Sequence, residues 1–135
     1  MVQPVWPGTL ALSDDDLAWI VKADVALFAW SSQARGFFTD YARRGKQVDL
    51  EFMASWYSEK NFARRDRAEA LATQLGTTLP RVALAYVLAQ PFPTIPIIGP
   101  LTTGELHEAL GALDVVLTPQ QVAWLRDGAD AHKNA

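Results

Sequence analysis

Two short stretches of this chain have the residue types a ligand site needs, in an order that chemistry can use. The first is Trp30-Ser31-Ser32-Gln33-Ala34-Arg35-Gly36, where an apolar run ends and small and polar residues and a glycine follow. In α/β folds ligands collect beyond the C-terminal ends of strands, so a strand ending at Trp30 would present this turn to a ligand. The second is Gly99-Pro100-Leu101-Thr102-Thr103-Gly104-Glu105-Leu106-His107-Glu108-Ala109. A glycine after a strand, then hydroxyls, then a helix start makes a phosphate cradle. The first-turn N–H groups and the helix dipole both point at an anion there. Each stretch also has a plainer reading. Trp30 could be a core aromatic with Arg35 on the surface, and the second stretch could be an ordinary capped helix.

Other chemistries have less behind them. The chain has no cysteine, which excludes disulfides, thiolate catalysis and a cysteine metal site. His107 and His132 lack a partner three or four residues on, so they read as surface histidines and no metal site is expected. Arg43, Arg44 and Lys46, and the run Arg64, Arg65 and Arg67, read as solvated faces. The net charge is -3 with acids and bases dispersed, which speaks against a nucleic-acid binder. No apolar run reaches the roughly 18 residues of a membrane span, and no basic start precedes an apolar stretch, so the expected compartment is the cytoplasm.

The elements that must position the two stretches are legible in outline. Residues 1–12, with Pro4, Pro7 and Gly8, read as a loop. Ser13 caps a helix over Asp14 to Lys22, with Asp16 as the capping-box acid. Val25 to Trp30 is an apolar run of strand length, expected to be buried on both faces. A loop to Gly36 and an aromatic-rich turn over Phe37 to Tyr41 follow, and Arg43 to Ser58 carries too little signal to assign. Glu59 to Leu75 is a helix stopped by Gly76. Thr78 caps the next helix, which has Pro80 in its first turn, is apolar nearly all round, and is broken by Pro91 and Pro93. Ile95 to Ile98 reads as a second strand, although Pro96 cannot donate to a ladder. Helices over Thr103 to Leu113 and Thr118 to Gly128 complete the chain. Strands separated by helical crossovers point to parallel pairing in one α/β domain spanning residues 1–135.

Both stretches resemble parts of one family. LFAWSSQARGFF (Leu27 to Phe38) is similar to the turn after the penultimate barrel strand of the aldo-keto reductases, usually written AYSPLARGFLTG. ALAYVLAQPFPTIPIIGPLTTGELHEALGALDVVLTPQQVAWL (Ala83 to Leu125) resembles the last βα unit of the same family. The resemblance implies a (β/α)8 TIM barrel, of which this chain would hold only the C-terminal βα units, since a complete barrel needs about 250 residues. It implies NADP(H) or NAD(H) as cofactor. Trp30 would stack on the nicotinamide, and Ser31, Ser32 and Arg35 would lie at the pyrophosphate. Gly99, Leu101, Thr102, Glu105 and Glu108 would meet the adenosine end, Thr102 at a 2′-phosphate and Glu108 at the adenine amino group. Gln3 could correspond to the family's carboxamide-binding glutamine. Leu101, Glu105 and Ala109 depart from the family's usual Arg or Ser, Arg or Gln, and Asn. No Arg or Lys lies between Arg81 and Arg126, so selectivity for NADPH should be weakened.

The family's catalytic Asp, Tyr, Lys and His would all precede Met1, and Tyr41, Tyr57 and Tyr86 stand in other contexts. The expectation is therefore a cofactor-binding segment with no catalytic residue of its own, serving an oxidoreductase of carbonyl or sugar-type substrates. An incomplete barrel exposes strand edges and apolar faces, so a missing N-terminal barrel portion, a partner chain or self-association is expected. The alternative is a non-catalytic binding or interaction module on the same scaffold.

Overall fold

The computed structural model describes residues 12–128. Among them, helix α1 (Asp14–Ala23) leads into strand β1 (Leu27–Ala29), then a 3-10 turn (Ala34–Gly36) and helix α2 (Leu50–Trp56). Helices α3 (Glu59–Leu75) and α4 (Leu79–Leu88) lead to strand β2 (Thr94–Pro96). Helix α5 (Thr103–Leu110), a second 3-10 turn (Gly111–Asp114) and helix α6 (Pro119–Asp127) complete the order. The loop expected over the first twelve residues lies outside the described residues except at Leu12, and Gln3 and His132 lie outside them altogether.

The caps explain most of the boundaries. Ser13 and Asp16 form a reciprocal capping box, with Ser13 N donating to Asp16 Oδ2 at 2.9 Å and Asp16 N to Ser13 Oγ at 3.1 Å. The Ser13 hydroxyl, which donates to Asp16 Oδ2 at 2.6 Å, and after it the Ser13 N–H hold the Asp16 carboxyl below its ordinary value. Thr118 and Gln121 repeat the device at α6. Gly76 ends α3 in the left-handed conformation, at φ 63°. Helix α2 falls in the stretch that carried too little sequence signal. It starts where the Asp49 side chain accepts from Phe52 N at 2.8 Å, and it buries Phe52 and Trp56 one turn apart.

The strands pair in parallel in the register Leu27↔Thr94, Phe28↔Ile95 and Ala29↔Pro96. Pro96 closes the ladder, and the next donor, Ile97 N, reaches Ala29 O at 3.0 Å. Both strands are shorter than the apolar runs Val25–Trp30 and Ile95–Ile98 suggested. Burial on both faces is also corrected: Phe28 is 63% exposed and Ile95 45%. Helix α4 packs against β2, and no second layer among the described residues covers those side chains.

The main core lies between α3, α4, α6 and the segment after β1. Phe37, Phe38, Tyr57 and Phe62 meet there in mostly edge-on contacts, with Phe37 and Phe62 5.2 Å apart between centroids. Leu71, Val82 and Leu125 fill its other side. A smaller cluster of Leu84, Ala109 and Ala112, with Ile98 against it, fixes α5 to α4. As its composition suggested, α4 is covered on several sides, burying Val82 through Tyr86.

Three further readings are corrected. The helix over Thr103 to Leu113 tightens at Gly111, where an added Cβ would fall on the Arg81 guanidinium. The Thr78 hydroxyl does not cap α4 but turns to Glu108. Arg64 and Arg65 are not solvated; they are 4% and 6% exposed. Both guanidiniums donate to backbone carbonyls, which carry no charge to be counted in the sequence, besides Asn61 for Arg64 and Glu69 for Arg65. Arg64 Nε donates to Arg126 O at 3.2 Å, and Arg67 Nη2 to Leu125 O at 3.0 Å, so α3 supplies cations to the C-terminal end of α6. Burial pushes the Arg64 guanidinium below its ordinary value and the Tyr86 phenol above its own.

Leu125 is fully buried where α6 meets this core. Leu125→Ala should therefore lower unfolding free energy by about 3 kcal/mol, whereas Val116→Ala, on an exposed side chain, should change it by less than about 0.5 kcal/mol. Urea denaturation followed by circular dichroism measures both.

Candidate functional site

Each of the two stretches leaves a strand at its C-terminal end, and the parallel pairing of β1 and β2 puts those ends side by side. After β1 the chain reverses through several left-handed residues: Ser31 at φ 51°, Ala34 at 50°, Arg35 at 52° and Gly36 at 90°. Only Gly36 adopts that conformation without a Cβ penalty; each of the others costs on the order of 1 kcal/mol and persists only if its surroundings enforce it. Local bonds do part of this, including Ala34 N to Ser31 O at 2.7 Å and Phe37 N to Ala34 O at 3.1 Å. Ser32 Oγ donates to Ile97 O at 2.8 Å and ties the first loop to the second. Phe37 and Phe38, at the end of the reversal, are driven into the core.

The second loop runs from Gly99 into α5. Thr102 caps the helix by accepting from Glu105 N at 3.1 Å. The Glu105 carboxylate reaches back and accepts from Leu101 N at 2.7 Å. An internal anion thus takes a backbone donor at the place where the sequence suggested a phosphate cradle.

Between the two loops lies a cleft of about 550 Å³. Trp30, Ser31, Ser32 and Arg35 line it from the first loop, and Gly99, Leu101, Glu105 and Glu108 from the second. Of the described residues expected at a cofactor, only Thr102 is not part of the lining, its hydroxyl being used in the cap. Trp30 is 76% exposed and so is not a core aromatic. Phe38 and Thr39 also belong to this wall, as does Pro80, which α4 brings from a third element, and no local pattern marks them for it.

Two of the charges lining the cleft, Arg35 and Glu108, are paired. Arg35 Nη1 meets Glu51 at 3.2 Å, both side chains being well exposed, a pairing worth little in water. Glu108 is held by Arg81 Nη2 at 3.1 Å and by the Thr78 hydroxyl. The Arg81 contact spans 27 residues and had no local sequence signal. Arg81 supplies a cation beside α5 that the gap between Arg81 and Arg126 concealed. Among the described residues no group of three or more His, Cys, Asp or Glu could hold a metal ion, and no helix is long and apolar enough to cross a membrane.

The profile of the Aldo/keto reductase family matches residues 14–129, nearly the whole chain. The chain belongs to the aldo/keto reductase family. It is 28% identical over 118 residues to versiconal hemiacetal acetate reductase of Aspergillus parasiticus, a match covering 82% of this chain and 34% of the relative. It is 32% identical over 110 residues to the uncharacterised oxidoreductase YrpG of Bacillus subtilis, covering 76% of this chain and 32% of the relative. The chain thus spans about a third of the length of these relatives. Aldo/keto reductases are oxidoreductases that typically use nicotinamide cofactors, and the family implies a TIM barrel. In this aldo/keto reductase chain the described residues contribute two neighbouring parallel strands and helices packed against them.

The Ser32–Ile97 bond joins the loops across the cleft mouth. Ser32→Ala should lower unfolding free energy by about 1 kcal/mol, read from the urea midpoint, and should speed amide exchange in both loops. Unchanged exchange in the second loop would show that the bond does not couple them.

Proposed function

We propose that the cleft holds a nicotinamide dinucleotide and that the chain is the cofactor-binding part of a cytoplasmic reductase of carbonyl or sugar-type substrates. The observation that carries this reading is convergence. Two loops tied by a bond between residues 65 apart form one cleft, and both are the stretches that resemble the family's cofactor loops. One relative, versiconal hemiacetal acetate reductase, is named for the same reaction class, which supports the reading. The residues fit the group. Trp30 offers an exposed flat face for the nicotinamide, Ser31, Ser32 and Arg35 suit the pyrophosphate, and Gly99 and Leu101 leave room at the adenosine end. When bound, the cofactor supplies hydride chemistry; these residues bind and orient it.

The lining favours NAD(H) over NADP(H). The Glu105 carboxylate already takes the Leu101 N–H, so a 2′-phosphate would meet a like charge there. Arg81, the nearby cation, is engaged by Glu108. None of Tyr41, Tyr57 and Tyr86 lines the cleft, and Tyr57 and Tyr86 are packed in the core. The reading therefore assigns the proton donor, and the strands that would cover Phe28 and Ile95, to further polypeptide of the barrel or to a partner. The same placement of the tyrosines supports the second reading, a binding module that keeps the scaffold without the chemistry.

Calorimetric titration with NADH and NADPH tests the site. NADH should bind more tightly than NADPH, and Trp30→Ala should weaken NADH about tenfold, the effect of losing a stacked aromatic face. Glu105→Gln should narrow the gap by strengthening NADPH binding. Binding of neither cofactor would remove the cofactor reading, and NADH bound without any turnover of carbonyl substrates in the completed barrel would favour the binding module.

A further inference from the structure

The strained loop after β1 needs a support that its own short bonds do not supply, and the structure shows one below it. Arg65 rises from the middle of α3 and is 6% exposed. Its Nε donates to Phe37 O at 3.2 Å and its Nη2 to Thr39 O at 3.3 Å. These two donors lie on one edge of the planar guanidinium, so one rigid fork spans two carbonyls two residues apart. The third contact, Nη1 to Glu69 at 3.4 Å, holds the other edge. Between the two carbonyls sits Phe38, which together with Thr39 lines the cleft, and immediately before them come the left-handed residues Ala34, Arg35 and Gly36.

We propose that Arg65 is a positioning residue for the cleft: it locks the end of the β1 loop to α3 and so fixes the wall on which the dinucleotide would lie. The inference rests on the cofactor reading for its functional consequence, but its structural part stands on the contacts alone. Burial explains why the residue must be arginine. A buried cation needs its donors satisfied, and the loop's carbonyls are what satisfy it; lysine offers a point charge in place of a fork. Ordering of the loop and burial of the cation are thus one event.

Arg64 supplies the control. It is the neighbouring residue, is equally buried, and donates to Arg126 O at the end of α6 and not to the cleft loop. Arg65→Lys and Arg64→Lys are compared in the full chain by melting temperature, by amide exchange and by NADH titration. Both should lower the melting temperature. Only Arg65→Lys should speed exchange at the Ala34, Gly36, Phe37 and Thr39 amides while α6 stays protected, and it should weaken NADH about tenfold, the loss of a charge-assisted contact. Equal loop exchange in the two variants, or NADH affinity lost equally in both, overturns the positioning role. If the unaltered chain binds no NADH, the cofactor reading fails by itself, and the exchange contrast still decides whether Arg65 holds the loop. Should Arg65→Lys not fold, Glu69→Gln loosens the same guanidinium from a half-exposed site and should speed loop exchange about twofold, as expected of a weak ion pair. No change there would count against the proposal.

Discussion

The structure depends on a trade between backbone strain and aromatic burial just after β1. The chain turns there through left-handed residues that proteins avoid, and the turn ends by placing Phe37 and Phe38 in the core. Burying each such ring contributes roughly 1.5–3 kcal/mol, so the two together are of the size needed to offset the strain of the three non-glycine residues in the turn. The core is therefore what enforces the shape of the cleft, and any change that loosens the packing of Phe37 against Phe62 is transmitted to the wall above it. The cleft wall and part of the core are joined in one segment after β1, whereas the second loop rests on a capped helix and a separate small cluster.

The sheet shows the opposite economy. Parallel strands are normally covered on both faces, because the crossover helices that connect them pack there. Here α4 packs against β2, while Phe28, Trp30, Ile95 and Ile97 remain substantially exposed. In a closed barrel, side chains pointing away from the helical layer fill the interior, where neighbouring strands supply the cover. The barrel that the family implies gives that exposure a geometric sense: the uncovered face is one that such a barrel would turn inward. Trp30 stands at the end of this face, so the surface that would complete a barrel and the surface proposed to meet the cofactor are continuous.

Much of this was legible in the sequence, for reasons that differ by residue. Helices with strong local signals fell where expected: Ser13 and Asp16, Gly76, and the Thr118-Pro119-Gln120-Gln121 start all act within one turn of the chain. The two loops that line the cleft were legible as loops because a strand end followed by glycine and hydroxyls is also a local pattern. What was missed is non-local. Arg64 and Arg65 look like a charged face because their partners are carbonyls of Phe37, Thr39 and Arg126, and a carbonyl has no residue letter. The Glu108 contact with Arg81 and the move of Thr78 away from its cap depend on α4 and α5 packing together, which no spacing reveals. The strands were overread in length because an apolar run marks burial and not pairing: Val25 and Ile98 flank strands whose ladder covers only three residue pairs.

The second loop carries the sharpest physical distinction between binding an anion and imitating one. A helix start with a hydroxyl cap and an approaching glycine attracts negative charge through its first-turn N–H groups. In this chain part of that demand is met internally, since Thr102 takes Glu105 N, and the Glu105 carboxylate takes Leu101 N just ahead of the helix. The arrangement stabilises α5 without any ligand, as a capping box does. It also fills the local potential well with a charge that a phosphate would have to displace. A cofactor ending in an unphosphorylated ribose makes no such demand, because hydroxyls can donate to a carboxylate where a phosphate is repelled. In the proposed reading, the same glutamate that makes the helix self-sufficient would also favour a dinucleotide without a 2′-phosphate.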